Sequence, residues 1–152
     1  TPSTRMGVAA LIREALFKAK EYADKKERAA GDPDKMPAFN MKLEALVPVI
    51  KGELLVKAHA HRADDIMTAI RIAEEFGLKM TIEHCSEGHL IPEEFAAKNR
   101  IAILGPFTGF PHKNETIHQD EASAGILERA GVKVAIICLF ASLLSLCPST
   151  LH

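Results

Sequence analysis

The run LLVKAHAHRADDIMTAIRIAEEFGLKMTIEH, residues 54–84, decides the fold. Leu54 to Ala60 is a short apolar segment and reads as a buried strand. Asp64 to Phe76 then changes period, with Ile66, Ala69, Ile70 and Ala73 on one helical face and Gly77 placed to end the helix. Lys79 to His84 returns to strand character. Strand, helix and strand within roughly 30 residues make one βαβ unit, whose strands lie parallel through a right-handed crossover.

The alternation continues downstream. Pro92 to Lys98 predicts a short helix with Pro in its first turn, and Ile101 to Leu104 a third strand. A long loop, Gly105 to Asp120, leads to a helix over Glu121 to Ala130 closed by Gly131, then to a fourth strand over Val132 to Ile137. Upstream lies a helical lead-in. Ser3 or Thr4 caps a first helix in which Val8, Leu11, Ile12, Ala15, Leu16 and Ala19 recur at helical spacing, with Lys25, Lys26 and Arg28 in its last turns. A polar loop from Gly31 to Pro37 separates it from a shorter helix of about Asn40 to Val49, disturbed by Pro48. The expected architecture is a single α/β domain: residues 1–53 a lead-in of two helices, 54–137 four βα units with parallel strands, and 138–152 an apolar tail. The strands belong to an open sheet or to part of a barrel. Loops that follow strands are longer and more polar than those that follow helices, which is the side where βα folds carry their sites.

Composition narrows the function classes. A chain of 152 residues suits one domain. Its 19 Lys plus Arg against 20 Asp plus Glu offer no basic field for nucleic acid. Cys85, Cys138 and Cys147 are odd in number and lack CxxC spacing, so a reducing, cytoplasmic setting is expected rather than a disulfide framework. No charged segment followed by an apolar run marks a secretory signal, and the opening Thr1-Pro2-Ser3-Thr4 reads as a start inside a longer gene product. The uncharged run Val134 to Cys147 is shorter than the ~20 residues that span a bilayer, so it reads as a buried strand leading into other buried structure, with no membrane partner.

Three constellations could carry chemistry: Lys57 to Asp65 after the first strand, Glu83 to His89 after the second, and His112 to His118 in the long loop. His59 and His84 each end a strand, one βα unit apart. Adjacent strands run about 4.8 Å apart, so two imidazoles pointing the same way could share a metal ion. By period two, His59 shares a face with Lys57 and Leu55, and His84 with Ile82 and Met80. Cys85 is a possible ligand or nucleophile, though a small buried residue at a strand end is the plainer role. His112 and His118 read most simply as surface loop residues. No GxGxxG, Walker A or HExxH motif is present.

Lys57-Ala58-His59-Ala60-His61, then a helix, then Thr81-Ile82-Glu83-His84, resembles strands five and six of the metal-dependent amidohydrolase superfamily, in its imidazolonepropionase-like subgroup. The resemblance runs over residues 1–137, and Thr1 to Gly7 is also similar to a segment between strands four and five in some members. His59-x-His61 could instead match the HxH pair of strand one, but four later βα units would then have to follow in too short a chain.

The resemblance implies a partial TIM-type (β/α)8 barrel holding strands five to eight. It also implies a divalent metal, most often zinc, on His59 and His84, and hydrolysis of an amide or cyclic amide C–N bond in a small molecule. Lys57, His61, Arg62 and His89 take the positions of substrate-contacting groups. Two departures stand out. The strand-one HxH and the strand-four ligand have no counterpart, and the strand-eight Asp is replaced near Leu139, followed by a tail unlike the family, as in a truncated or frame-shifted end. The expectation is therefore an incomplete hydrolase fragment, inactive by itself, whose open strand edges favour a homo-oligomer. The alternatives are a non-catalytic αβ module binding metal or a partner chain, and an open-sheet domain with an unrelated small-molecule site.

Overall fold

The computed structural model describes residues 2–107 and 113–137. The apolar tail, His112, Cys138, Leu139 and Cys147 lie outside the described residues.

Helix α1 spans Arg5–Ala29, and its start is fixed by Thr4, whose Oγ1 accepts from the Gly7 N–H at 3.0 Å. Helix α2, Met41–Ile50, is capped by Asn40, which accepts from Lys42 and Leu43 N–H groups. Pro48 sits in its last turn without ending it, and the Pro48 carbonyl receives the Glu53 and Leu54 N–H groups. Then come β1 (Val56–Ala60), α3 (Ala63–Phe76), β2 (Met80–His84), α4 (Pro92–Ala97), β3 (Ile101–Leu104), α5 (Ser123–Arg129) and β4 (Lys133–Ile136). Gly77 closes α3 in the left-handed region at φ 66°, as its position in the sequence predicts. Two one-turn 3-10 helices, Gly88–Leu90 and Asn114–Thr116, were not expected from periodicity, which three residues cannot express.

All four strands are parallel and lie in sequence order, β1-β2-β3-β4. This α/β arrangement, with its four-stranded parallel sheet, is consistent with a segment of a TIM-type barrel. The two faces of the sheet differ sharply. In register, Ala58, Ile82, Ala102 and Val134 form one row on the face packed by helices, which Ala60 and Leu104 continue in the next. There Ile82, Ala102 and Leu104 are completely buried, in one core with Ile66, Ile70, Phe95 and Leu127. Each large aliphatic or aromatic side chain so buried contributes about 1.5–3 kcal/mol. The opposite face carries Lys57, Thr81, Ile101 and Lys133 in one row and His59, Glu83, Ile103 and Ala135 in the next. Lys57, His59, Ile101, Lys133 and Ala135 are exposed on it.

Of the six apolar positions that recur along the first half of α1, Leu16 and Ala19 are buried, whereas Val8, Leu11 and Ile12 remain 44–50% exposed. Val8, Ile12 and Leu16 line a groove of about 890 Å³ between α1 and β1, the edge strand of the sheet. The C-terminal half packs on α2 through Tyr22, Ala23 and Val47. Arg13 holds α1 to α3 by paired bonds to Glu75 at 2.6 and 2.7 Å. No helix among the described residues is long and apolar enough to cross a membrane.

Candidate functional site

The site residues gather where β1 and β2 end. His59 is the penultimate residue of β1 and His61 follows the strand, while His84 is the last residue of β2. The register pairs His59 with Glu83 and Ala60 with His84. Strict alternation would therefore send His84 to the helix-packed face, with Ile82 and Met80, away from His59. That placement does not hold, because the backbone leaves the extended region at His84 (φ 67°) and again at Cys85 (φ 49°). The left-handed turn brings the three imidazoles together: ring centroids lie 4.3 Å apart for His59 and His84, 4.7 Å for His59 and His61, and 5.1 Å for His61 and His84. Two successive non-glycine residues in this region cost about 1–3 kcal/mol each and persist only where neighbours over-determine them.

Those neighbours are backbone bonds between the two βα loops. The Cys85 N–H donates to the Ala60 carbonyl at 3.1 Å and the Glu87 N–H to the His61 carbonyl at 2.8 Å. The buried Glu87 carboxylate reaches back and accepts the Ala63 N–H at 2.9 Å, at the start of α3, where Arg62 supplies no side-chain cap. Glu87 thus caps a helix that begins 24 residues earlier. Glu87→Ala should cost about 1–2 kcal/mol by orphaning that N–H, with Glu87→Gln milder because its amide oxygen can still accept. Urea titration of the three proteins is the check, and equal midpoints for wild type and Glu87→Ala would refute the cap.

Each imidazole has a defined partner. His84 Nδ1 donates to the Gly105 carbonyl at 2.7 Å, which fixes the tautomer of the neutral ring, with its lone pair on Nε2. Gly105 adopts φ 100°, and an added Cβ would press on the Ile137 carbonyl at 3.1 Å, so this turn after β3 requires glycine. His61 Nδ1 lies 2.8 Å from the Oγ of buried Ser86, and its Nε2 lies 3.0 Å from His59 Nε2. Burial, more than the mutual repulsion of the rings, lowers the pKa values of both His59 and His61 from their ordinary 6.5, favouring neutral imidazoles. Among the described residues no group of three or more His, Cys, Asp or Glu side chains is arranged to hold a metal ion. The cluster offers two nitrogen donors, since His61 is engaged on both of its ring nitrogens.

The other candidates sit around this cluster with partners of their own. Lys57 faces Glu83 at 3.5 Å, and Glu83 also accepts from the Thr81 hydroxyl at 2.8 Å. Arg62 forms paired bonds to Asp64 at 3.0 and 3.2 Å. His89 lies farther along the chain, in the Gly88–Leu90 turn, with Nδ1 at 2.8 Å from the buried Ser123 hydroxyl. Cys85 is completely buried, and loss of solvation pushes its thiol up to about 12, so it is not a nucleophile at neutral pH. His118 is exposed in the loop after β3. Sequence reasoning passed over Ser86, Glu87 and the Gly105 carbonyl. The first two stand inside the Glu83 to His89 segment, but nothing local marks their partners, and a backbone carbonyl carries no signature in sequence.

No family model and no curated protein matches this chain. Among solved structures, an amidohydrolase from Thermotoga maritima MSB8 is similar at 39% identity with a TM-score of 0.86, over 93% of this chain and 37% of that one. The chain thus spans little more than a third of that protein's length. The likeness to that amidohydrolase is thus one of sequence as well as of fold, over nearly the whole of this chain.

Proposed function

We propose that this chain carries the strand-five and strand-six part of a metal-dependent amidohydrolase site, in the imidazolonepropionase-like group, acting on an amide or cyclic amide C–N bond. The observation that carries the reading is the convergence of His59 and His84 at adjacent strand ends, with His84 Nδ1 taken up by the Gly105 carbonyl and Nε2 left as a donor. A metal-binding histidine needs such an outer partner to set its tautomer. The residues fit a divalent ion of zinc type, which imidazole suits. His59 and His84 would hold it, and when bound it would polarise the substrate carbonyl and acidify a water molecule.

The chain's own polar groups have subordinate parts. Lys57, placed two residues before His59, is itself exposed and reaches Glu83 at 3.5 Å, so it could turn to a substrate anion. Arg62, bonded to Asp64 beside the start of α3, is a second cation within the same loop. His89 would contact substrate from the turn after β2.

Two imidazoles leave zinc short of four ligands, so affinity should be weak. Co²⁺ or Zn²⁺ titration by calorimetry should show one site per chain that weakens by at least about tenfold in His84→Ala and in His59→Ala. Equal binding by wild type and both variants would sink the metal-site reading.

A further inference from the structure

We propose that His61 is a positioning residue rather than a substrate contact: it accepts a hydrogen bond from His59 Nε2–H and so holds His59 in the tautomer whose Nδ1 is free. The inference deepens the metal-site reading above and rests on it.

The argument starts from one distance. Two ring nitrogens, His59 Nε2 and His61 Nε2, lie 3.0 Å apart, the separation of an N–H donor and a nitrogen lone pair. Two bare lone pairs would repel at that distance, and two N–H groups would clash, so one proton lies between them. On its other side His61 presents Nδ1 to the Ser86 hydroxyl at 2.8 Å. A neutral imidazole has one N–H and one lone pair, so the chain His59–His61–Ser86 can run in only two directions.

If Ser86 donates, His61 donates onward and His59 must carry its proton on Nδ1, which leaves neither His59 nitrogen free. If His59 donates, His61 passes its own Nδ1–H to the Ser86 oxygen, and His59 Nδ1 becomes a lone pair on a ring whose centroid lies 4.3 Å from that of His84. The second direction gives two free donors, His59 Nδ1 and His84 Nε2, each set by a partner on its opposite nitrogen. His61 is itself fixed at both ends. Its carbonyl receives the Glu87 N–H, and its Nδ1 meets the hydroxyl of Ser86, which is 5% exposed.

The test separates this inference from the reading beneath it. Long-range ¹H–¹⁵N spectra of the metal-free protein report the tautomer of each ring directly. His59 should appear as the Nε2–H form and His84 as the Nδ1–H form, and His59 should become a tautomer mixture in His61→Phe. Co²⁺ titration should show affinity falling by about 10- to 100-fold in His61→Phe. His61→Gln, whose amide oxygen can accept from His59, should recover much of the loss, as should Ser86→Thr relative to Ser86→Ala. A thermal melt of each variant identifies a misfolded one, in which case His61→Gln and the Ser86 pair carry the comparison. His59 found as the Nδ1–H form, or Co²⁺ affinity unchanged in His61→Phe while His84→Ala loses it, would overturn the proposal. A wild type that takes up no Co²⁺ would sink the metal-site reading instead, and the tautomer spectra would still decide what His61 does to His59.

Discussion

Gly88→Ala should destabilise the protein by about 3 kcal/mol, near the upper end of what a single added methyl group costs in a packed interior. Gly88 is buried in the turn after β2, and a Cβ built on its backbone overlaps the Cys85 Sγ, with the Leu127 Cδ1 another 3.4 Å off. Neither neighbour can yield cheaply. Cys85 is completely buried in a left-handed backbone conformation, and Leu127 is completely buried in the core. The prediction has an internal control. Cys85→Ala removes the sulfur atom and should cost about 1 kcal/mol for the small cavity, and the double variant Cys85→Ala/Gly88→Ala should then lie close to Cys85→Ala alone. Urea denaturation of the four proteins closes the cycle. Simple additivity of the two changes would show that the Cys85–Gly88 contact is not what excludes a side chain. Metal titration of the double variant adds a second reading, because the same turn carries Ser86 and Glu87 to the loop that holds His61.

Phe95→Ala should cost about 3–5 kcal/mol, the range for emptying a fully buried aromatic site. In a chain of this size that corresponds to a fall in Tm of roughly 10 °C or more. Helix α4 has six residues, too few to be stable by itself, so its place in the fold depends on the side chain it buries. Phe95 is that side chain, with no exposed surface, in the same cluster as Ile82, Leu104 and Leu127. Phe95→Leu should lose about half as much. The control is Leu90→Ala nearby, where a side chain 54% exposed should change stability by no more than about 0.5 kcal/mol. Similar melting temperatures for Phe95→Ala and Leu90→Ala would mean that α4 is not anchored as described.

The order of elements was legible in the chain because it rests on short-range physics. Apolar periods of two and of 3.6, Thr4 and Asn40 at helix starts, and Gly77 at a helix end are local signals, and each stands where the structure uses it. The placement of His59 and His84 at adjacent strand ends follows from the same reading, since a βαβ unit brings consecutive strand ends side by side. What period two could not give was the direction of the His84 ring. That is decided by two left-handed residues, held by bonds from Cys85 to Ala60 and from Glu87 to His61 across 25 and 26 positions of sequence. Spacing likewise does not tell which turns of α1 are covered: Val8 and Ile12 share the apolar period of buried Leu16 yet stay 44–45% exposed in the groove beside β1. Amino-acid type and spacing thus determined which elements form and which imidazoles come near each other. Only the tertiary structure decided which ring nitrogens are engaged, because a tautomer is set by the atom that happens to stand opposite it: the Gly105 carbonyl for His84, and His61 for His59.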